Sequence, residues 1–188
     1  MATIASEMRV GWVISNNGKQ YSVLSTKKVK PGKQGGGAYI LADLRDLSTG
    51  NKTNERWRAD DKVEKLQTED VPCQFLYVGG DDAFFMRMDD YEQFTLAVED
   101  IGEQSKFLEP DMKVTISFID GKPMSVTIPK TVIAVVAETE PALKGQTASG
   151  SGKPATLENG VRITVPTFIE QGEKIVVNTE TLEYNSRA

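Results

Sequence analysis

The sequence predicts an all-β protein made of three small barrel-like units. Three observations carry that reading. Apolar residues alternate with polar ones in short stretches along all 188 residues, the period of half-buried strands. The sixteen glycines and eight prolines fall mostly between those stretches, as turns in a β-rich chain require. The stretches group into three sections of roughly 60 residues, a size and turn spacing that suit five-stranded barrels of the oligonucleotide-binding type. Units so small are marginal alone, so shared interfaces are expected.

In the first section Arg9 to Ile14 and Gln20 to Leu24 read as strands around the turn signal Asn16-Asn17-Gly18. Thr26 to Lys30 and Ala38 to Leu44 form a second pair around a glycine-rich tip. Ser48-Thr49-Gly50 marks a further turn, Thr53 to Arg58 a last strand, and Asp60-Asp61 a polar junction.

In the second section Cys73 to Val78 and Ala83 to Met88 flank the hairpin signal Gly79-Gly80-Asp81. Phe75, Tyr77, Phe84, Phe85 and Phe118 are expected in core strands. Glu99 to Leu108 has the best local helix character, ended by Pro110. Val114, Ile116 and Phe118 alternate with polar neighbours as a half-buried strand, which Asp120-Gly121 turns back into Met124 to Ile128. After Pro129, Thr131 to Glu138 is a β-branched run, and Val161 to Val165, Lys174 to Asn178 and Thr181 to Tyr184 supply further strands.

Composition removes whole classes of chemistry. With no histidine, Ser-His and Cys-His nucleophiles, histidine bases and most transition-metal sites are excluded. The single cysteine, Cys73, cannot form an internal disulfide and sits in an apolar alternation that predicts a buried strand thiol. No apolar run approaches the roughly 20 residues of a membrane-spanning helix. A soluble, cytoplasmic protein without metal or cofactor is expected; carboxylate or lysine chemistry stays open, so an enzyme is the weakest of the readings and none is expected.

Net charge is −5, unevenly spread. Met8 to Ala42 carries Arg9, Lys19, Lys27, Lys28, Lys30 and Lys33 and no acid, whereas Asp89 to Asp111 carries eight acids against Lys106. Such runs are ordinarily solvated faces. The basic one would also let one end of an otherwise acidic molecule meet RNA.

Lys30-Pro31-Gly32-Lys33 places proline and glycine where a type II turn wants them, and Gly35-Gly36-Gly37 makes the return slim. Slender backbone around one long side chain would let Lys33 enter a narrow cavity; an ordinary flexible hairpin fits the same residues. The second glycine-rich loop, Gly145 to Gly152, fails as a Walker motif. Thr147 stands where glycine is needed and Pro154 follows Lys153. It reads as a connection between strands or as a backbone contact with RNA phosphates. Asp81-Asp82 and Asp89-Asp90 lie beside turns, which explains them without acid–base chemistry. A general single-strand RNA binder remains a competing class; it would need exposed aromatic platforms ringed by cations.

The motifs together go further. Val29 to Lys33 resembles the hairpin tip of the elongation factor P family, and Lys153 to Gly172, with its spaced Lys, Ala, Gly, Val-Pro and Gly, resembles that family's third-domain signature. Asn54-Glu55-Arg56, Tyr91-Glu92-Gln93, Phe118 to Pro129 and Tyr184 to Arg187 match in order, so the resemblance covers essentially the whole chain. It implies three β-barrel domains in an L shape. An SH3-like, KOW-type domain (1–63) is followed by two OB-fold domains (64–128 and 129–188).

The resemblance also implies a monomeric translation factor that binds the ribosome between the peptidyl and exit tRNA sites and relieves stalling at consecutive prolines. Lys30, Pro31, Gly32 and Lys33 would then form the tip at the peptidyl-transferase centre, against peptidyl-tRNA, with Lys33 the target of a lysine-modifying enzyme. Gly145, Gln146, Thr147, Tyr184 and Arg187 correspond to ribosome, tRNA or mRNA contacts. Two departures stand out: Gln34 to Gly37 makes the tip about two residues longer than in relatives, and Gln146 replaces a common aspartate.

Overall fold

The architecture is known from a computed structural model that describes residues 1–30, 32, 36–142 and 152–188. Sixteen strands among these residues form three antiparallel sheets, with one short α-helix and two 3₁₀ turns.

The first sheet contains β1 (Ala2–Ile4), β2 (Val13–Asn16), β3 (Lys19–Val29), β4 (Tyr39–Asp46), β5 (Lys52–Arg58) and β6 (Lys62–Lys65), in the order β1-β6-β2-β3-β4-β5. Alternation along β4 buries Ile40, Ala42 and Leu44. With Ala5, Met8, Ile14, Tyr21, Val23 and Val63 they make one core, and Trp12 and Trp57 pack on it.

Several expected strands are re-drawn here. The first begins at Val13 rather than Arg9, because Arg9 to Trp12 is a turn closed by Trp12 N–H donating to the Arg9 carbonyl at 3.2 Å. Gly11 has φ +89° in that turn. The two expected strands 20–24 and 26–30 are a single strand, β3, which absorbs Leu24 as a bulge between the pairs Val23↔Leu44 and Ser25↔Asp43. β1 and β6 were not anticipated, and β6 carries the first sheet to Lys65.

The second sheet runs β11-β10-β7-β8-β9 and comprises β7 (Glu69–Gly79), β8 (Asp82–Arg87), β9 (Gln93–Ala97), β10 (Lys113–Ile119) and β11 (Lys122–Thr127). Phe75, Phe85, Phe94 and Phe118 form a chain of aromatic contacts with centroids 5.3–5.9 Å apart. Cys73 is fully buried beside them. The expected helix is largely absent. Four residues of α-helix, α1 (Val98–Ile101), end at Gly102 with φ +78°, and a 3₁₀ turn follows over Gly102–Phe107.

Tyr77 and Phe84 are also not core residues. Leu76 is a bulge between the pairs Phe75↔Phe85 and Tyr77↔Phe84, so the inward alternation 73, 75 switches and Tyr77 points outward, 53% exposed.

The third sheet runs β14-β13-β12-β15-β16, formed by β12 (Thr131–Thr139), β13 (Lys153–Leu157), β14 (Arg162–Val165), β15 (Lys174–Asn178) and β16 (Glu183–Arg187). β14 and β16 lie against each other, so the sheet curls towards closure. The last strand starts two residues later than expected. The Asn178 side-chain oxygen accepts from the N–H groups of Glu180 and Thr181 and builds a turn there, with Leu182 at φ +57°.

The chain divides into two compact units, Met1–Ile128 and Pro129–Ala188. Inside the first, the second sheet's elements press on the first sheet. Arg45 of β4 is 4% exposed, donates to the Glu99 carbonyl at 2.7 Å and to the Gly50 carbonyl, and pairs through Nε with Asp100 at 3.0 Å. Ser125 Oγ donates to the Gly11 carbonyl, and a Cβ at Gly11 would lie 2.4 Å from Thr127 Oγ1. The bulged Leu24 faces Gly102. The junction thus forms where a left-handed glycine, a bulge and a buried cation meet.

Candidate functional site

Beyond the Leu24 bulge, β3 and β4 pair in register from Ser25↔Asp43 to Val29↔Tyr39, past the last buried residue of β4, Ile40. Lys27, Lys28, Val29 and Lys30 are exposed, so the distal end of this hairpin stands beyond the core. Of the tip, Lys30 and Gly32 are exposed, and a Cβ at Gly32 would meet nothing within 4 Å. Space therefore does not demand glycine there. Pro31 and Lys33 lie outside the described residues, and the expected type II turn with them.

Strand register assembles a cationic face behind the tip. In antiparallel pairs directly opposite residues share a face. Lys27 stands opposite Leu41 and Leu41 opposite Arg56; Val29 stands opposite Tyr39 and Tyr39 opposite Arg58. The Arg56 guanidinium lies 3.9 Å from the Tyr39 ring centroid. The acid on this face, Asp43, accepts from Ser25 Oγ at 2.8 Å and from Asn54 Nδ2, so both its oxygens are already hydrogen-bonded. At the proximal end the same face is covered, because Arg45 is held by the segment bearing Glu99 and Asp100. Cations beside an aromatic and an aliphatic platform suit contact with an RNA backbone. Residues 1–63 carry eleven bases against six acids, a local net of +5.

Arg58 and Tyr39 were not singled out from the sequence, and Arg56 only as part of the family-matching run Asn54-Glu55-Arg56. Only the register brings 56 and 58 next to 27 and 39; the trace of it in the sequence is the alternation of exposed polar positions along β5.

In the third domain Tyr184 and Arg187 both lie on β16, opposite Val177 and Ile175. Tyr184 is half-buried. The exposed Arg187 is pinned three ways. Nη2 meets Glu173 Oε1 at 3.1 Å and donates to the Phe168 carbonyl at 3.3 Å, and the guanidinium lies 4.8 Å from the Phe168 ring centroid. Gly145, Gln146 and Thr147 lie outside the described residues. The stem from which they spring is closed by Thr139 Oγ1 donating to the Pro154 carbonyl at 2.9 Å and by Lys153 Nζ donating to the Glu140 carbonyl. Lys153 is buried, and its ammonium is held by that backbone carbonyl.

No constellation for covalent or metal chemistry is seen among the described residues. No group of three His, Cys, Asp or Glu side chains is placed to hold a metal there. Burial pushes the Cys73 thiol up to about 11, against an opposing pull from Arg87. The Asp89-Asp90 pair is built into a turn. Arg87 donates to both Asp89 oxygens at 2.8 and 2.9 Å, which lowers that carboxyl to about 2, and Asp90 accepts from the Glu92 N–H at 2.9 Å. No helix of the described residues is long and apolar enough to cross a membrane.

Family comparison covers the chain end to end. Residues 4–63 match the model described as Elongation factor P (EF-P) KOW-like domain, 68–126 the Elongation factor P (EF-P) OB domain, and 132–187 the Elongation factor P, C-terminal model. Elongation factor P of Paramagnetospirillum magneticum is 46% identical over 183 residues, 97% of this chain and 96% of that protein. Elongation factor P of Rhodospirillum rubrum is 45% identical over 184 residues, 98% and 97% of the two chains. A solved eukaryotic translation initiation factor 5A from Methanococcus jannaschii covers 68% of this chain and 94% of its own. At 21% identity and a TM-score of 0.34 that likeness carries no weight.

Proposed function

This chain belongs to the elongation factor P family of translation elongation factors, and from that premise we propose that it binds the ribosome between the peptidyl and exit tRNA sites and stimulates peptide-bond formation at consecutive prolines. The observation that carries the proposal is the β3–β4 hairpin, which runs beyond its core and is backed by the Lys27, Arg56 and Arg58 face. A projecting, cationic, narrow element is what entry into an RNA-walled cavity demands.

In this reading Lys33, flanked by Lys30, Pro31 and Gly32, reaches the peptidyl-transferase centre and holds the peptidyl-tRNA in a reactive geometry. The factor then contributes position rather than a reacting group. Restricting two reactants to a near-attack arrangement is worth several kcal/mol without any covalent step. Proline, with its fixed φ, gains most from such help. A lysine-modifying enzyme acting on Lys33 would extend its reach.

The third domain contributes Tyr184, Arg187 and the Gly145-Gln146-Thr147 loop as contacts to ribosome, tRNA or mRNA. Arg187, pre-positioned by Glu173 and Phe168, retains guanidinium donors for such a contact. The protein works as a cytoplasmic monomer without metal or cofactor, its domains lying at 1–63, 64–128 and 129–188. Addition of the purified chain to a reconstituted translation system stalled on a consecutive-proline template tests this. Release of full-length product is expected; persistence of the stall with an intact, folded chain overturns the proposal.

A further inference from the structure

The second domain displays an aromatic pair that the proposed function does not use. Tyr77 on β7 and Phe84 on β8 stack across their hairpin, with centroids 4.5 Å apart and planes inclined by 13°. Both rings lie over Gly79. A Cβ there would stand 3.1 Å from Phe84 Cε2 and 3.4 Å from Tyr77 Cε2. The pair is therefore fixed before any partner arrives, and little side-chain freedom remains to be lost on binding. Stacking supports the hairpin. It still leaves half of Tyr77 in water, an apolar area of the kind partners cover.

Charge selects the partner. Residues 64–128 contain fourteen acids and five bases, a net of −9 within a chain whose total is −5. Asp81 and Asp82 are exposed at the tip of the same hairpin. Two of the five bases are engaged locally, Arg87 by Asp89 and Asp90 and Lys106 by Glu103. Such a field repels a phosphate backbone, so an aromatic platform here does not suit RNA. It attracts lysine and arginine, and an arginine can stack on a ring and pair with a carboxylate at once.

We propose that the Tyr77–Phe84 face of the β7–β8 hairpin is a docking surface for a basic protein partner. An arginine- or lysine-rich segment sits on the stacked rings with its charges towards Asp81 and Asp82. The inference rests on the ribosome reading above, which brings the chain to a particle containing both protein and RNA. The full chain carrying Tyr77→p-benzoylphenylalanine is bound to purified ribosomes, sedimented, irradiated and analysed by mass spectrometry. A cross-link to a ribosomal protein, within a segment rich in lysine and arginine, is expected. Its yield should fall at least threefold when Asp81→Asn and Asp82→Asn are added. A cross-link to ribosomal RNA, a protein cross-link indifferent to those two substitutions, or no cross-link from a chain that co-sediments would overturn the inference. Failure of the unsubstituted chain to co-sediment at all would overturn the ribosome reading, and this inference with it.

Discussion

Replacing Arg45 with alanine is expected to lower the stability of the Met1–Ile128 unit by about 3 kcal/mol. Arg45 is buried between the first two sheets, donates to the carbonyls of Gly50 and Glu99, and pairs with Asp100 at 3.0 Å. A hydrogen bond from a charged group is worth roughly 1.5–3 kcal/mol net. Glu99 and Asp100 are both more than a third exposed, so water recovers much of their loss and their ion pairs add little. The estimate therefore rests on two orphaned carbonyls and the lost packing of the side-chain stem.

Trp12 and Trp57 both pack on the first core, so tryptophan fluorescence during urea unfolding reads this unit. With an m-value of about 2 kcal/mol per molar, the midpoint should fall by about 1.5 M. The deficit should be larger at pH 8 than at pH 4. Burial already raises the Asp100 pKa while Arg45 opposes that rise, so without Arg45 the ionised carboxylate loses its partner. A midpoint shift below about 0.5 M would place Arg45 among ordinary surface ion pairs and refute the reasoning.

Gly11→Ala should destabilise the same unit by roughly 2–4 kcal/mol, since a Cβ would combine φ +89° with a 2.4 Å approach to Thr127 Oγ1; an unchanged melting midpoint would contradict it. The Cys73 thiol, buried and raised to about 11, should remain unreactive towards Ellman's reagent at pH 8 in the native state and react once the protein is unfolded in urea. Asp89 is depressed to about 2 by Arg87, so the stability it confers is present above its unfolded value near 3.8 and is lost as pH falls towards 2. Asp89→Asn should flatten the stability profile over that window, and an identical acid slope in the variant would rule the linkage out.

Much of the fold was legible because turn chemistry and alternation agree. Asn17 and Gly18 both take left-handed φ between β2 and β3, and Asp120-Gly121 does the same between β10 and β11, as their residue types demand. The misreadings share a cause. At Leu24 and Leu76 one extra residue shifts the pleat, which split β3 in the reading and sent Tyr77 inward on paper. Nothing local marks such a bulge; it is set by the partner strand. β1 and β6, of three and four residues, are too short to show a period and form because they pair with each other. The helical composition of Glu99 to Leu108 is overridden at Gly102.

The site was legible unevenly. Charge pointed to the hairpin because its lysines are near in sequence. Arg56, Arg58 and Tyr39 join them through pairing across β4, and Glu173 and Phe168 reach Arg187 through the third sheet and its loops.

The central claim is that Lys33, at the end of the projecting hairpin, assists the ribosome's own reaction by position. Lys33→Ala should leave the urea midpoint unchanged, since the strands that lead to it already run past the last buried residue, Ile40. In the reconstituted consecutive-proline assay the same variant should lose relief of the stall, while synthesis from a proline-free template proceeds as before. Relief equal to that of the unsubstituted chain, from a variant as stable, would contradict the claim.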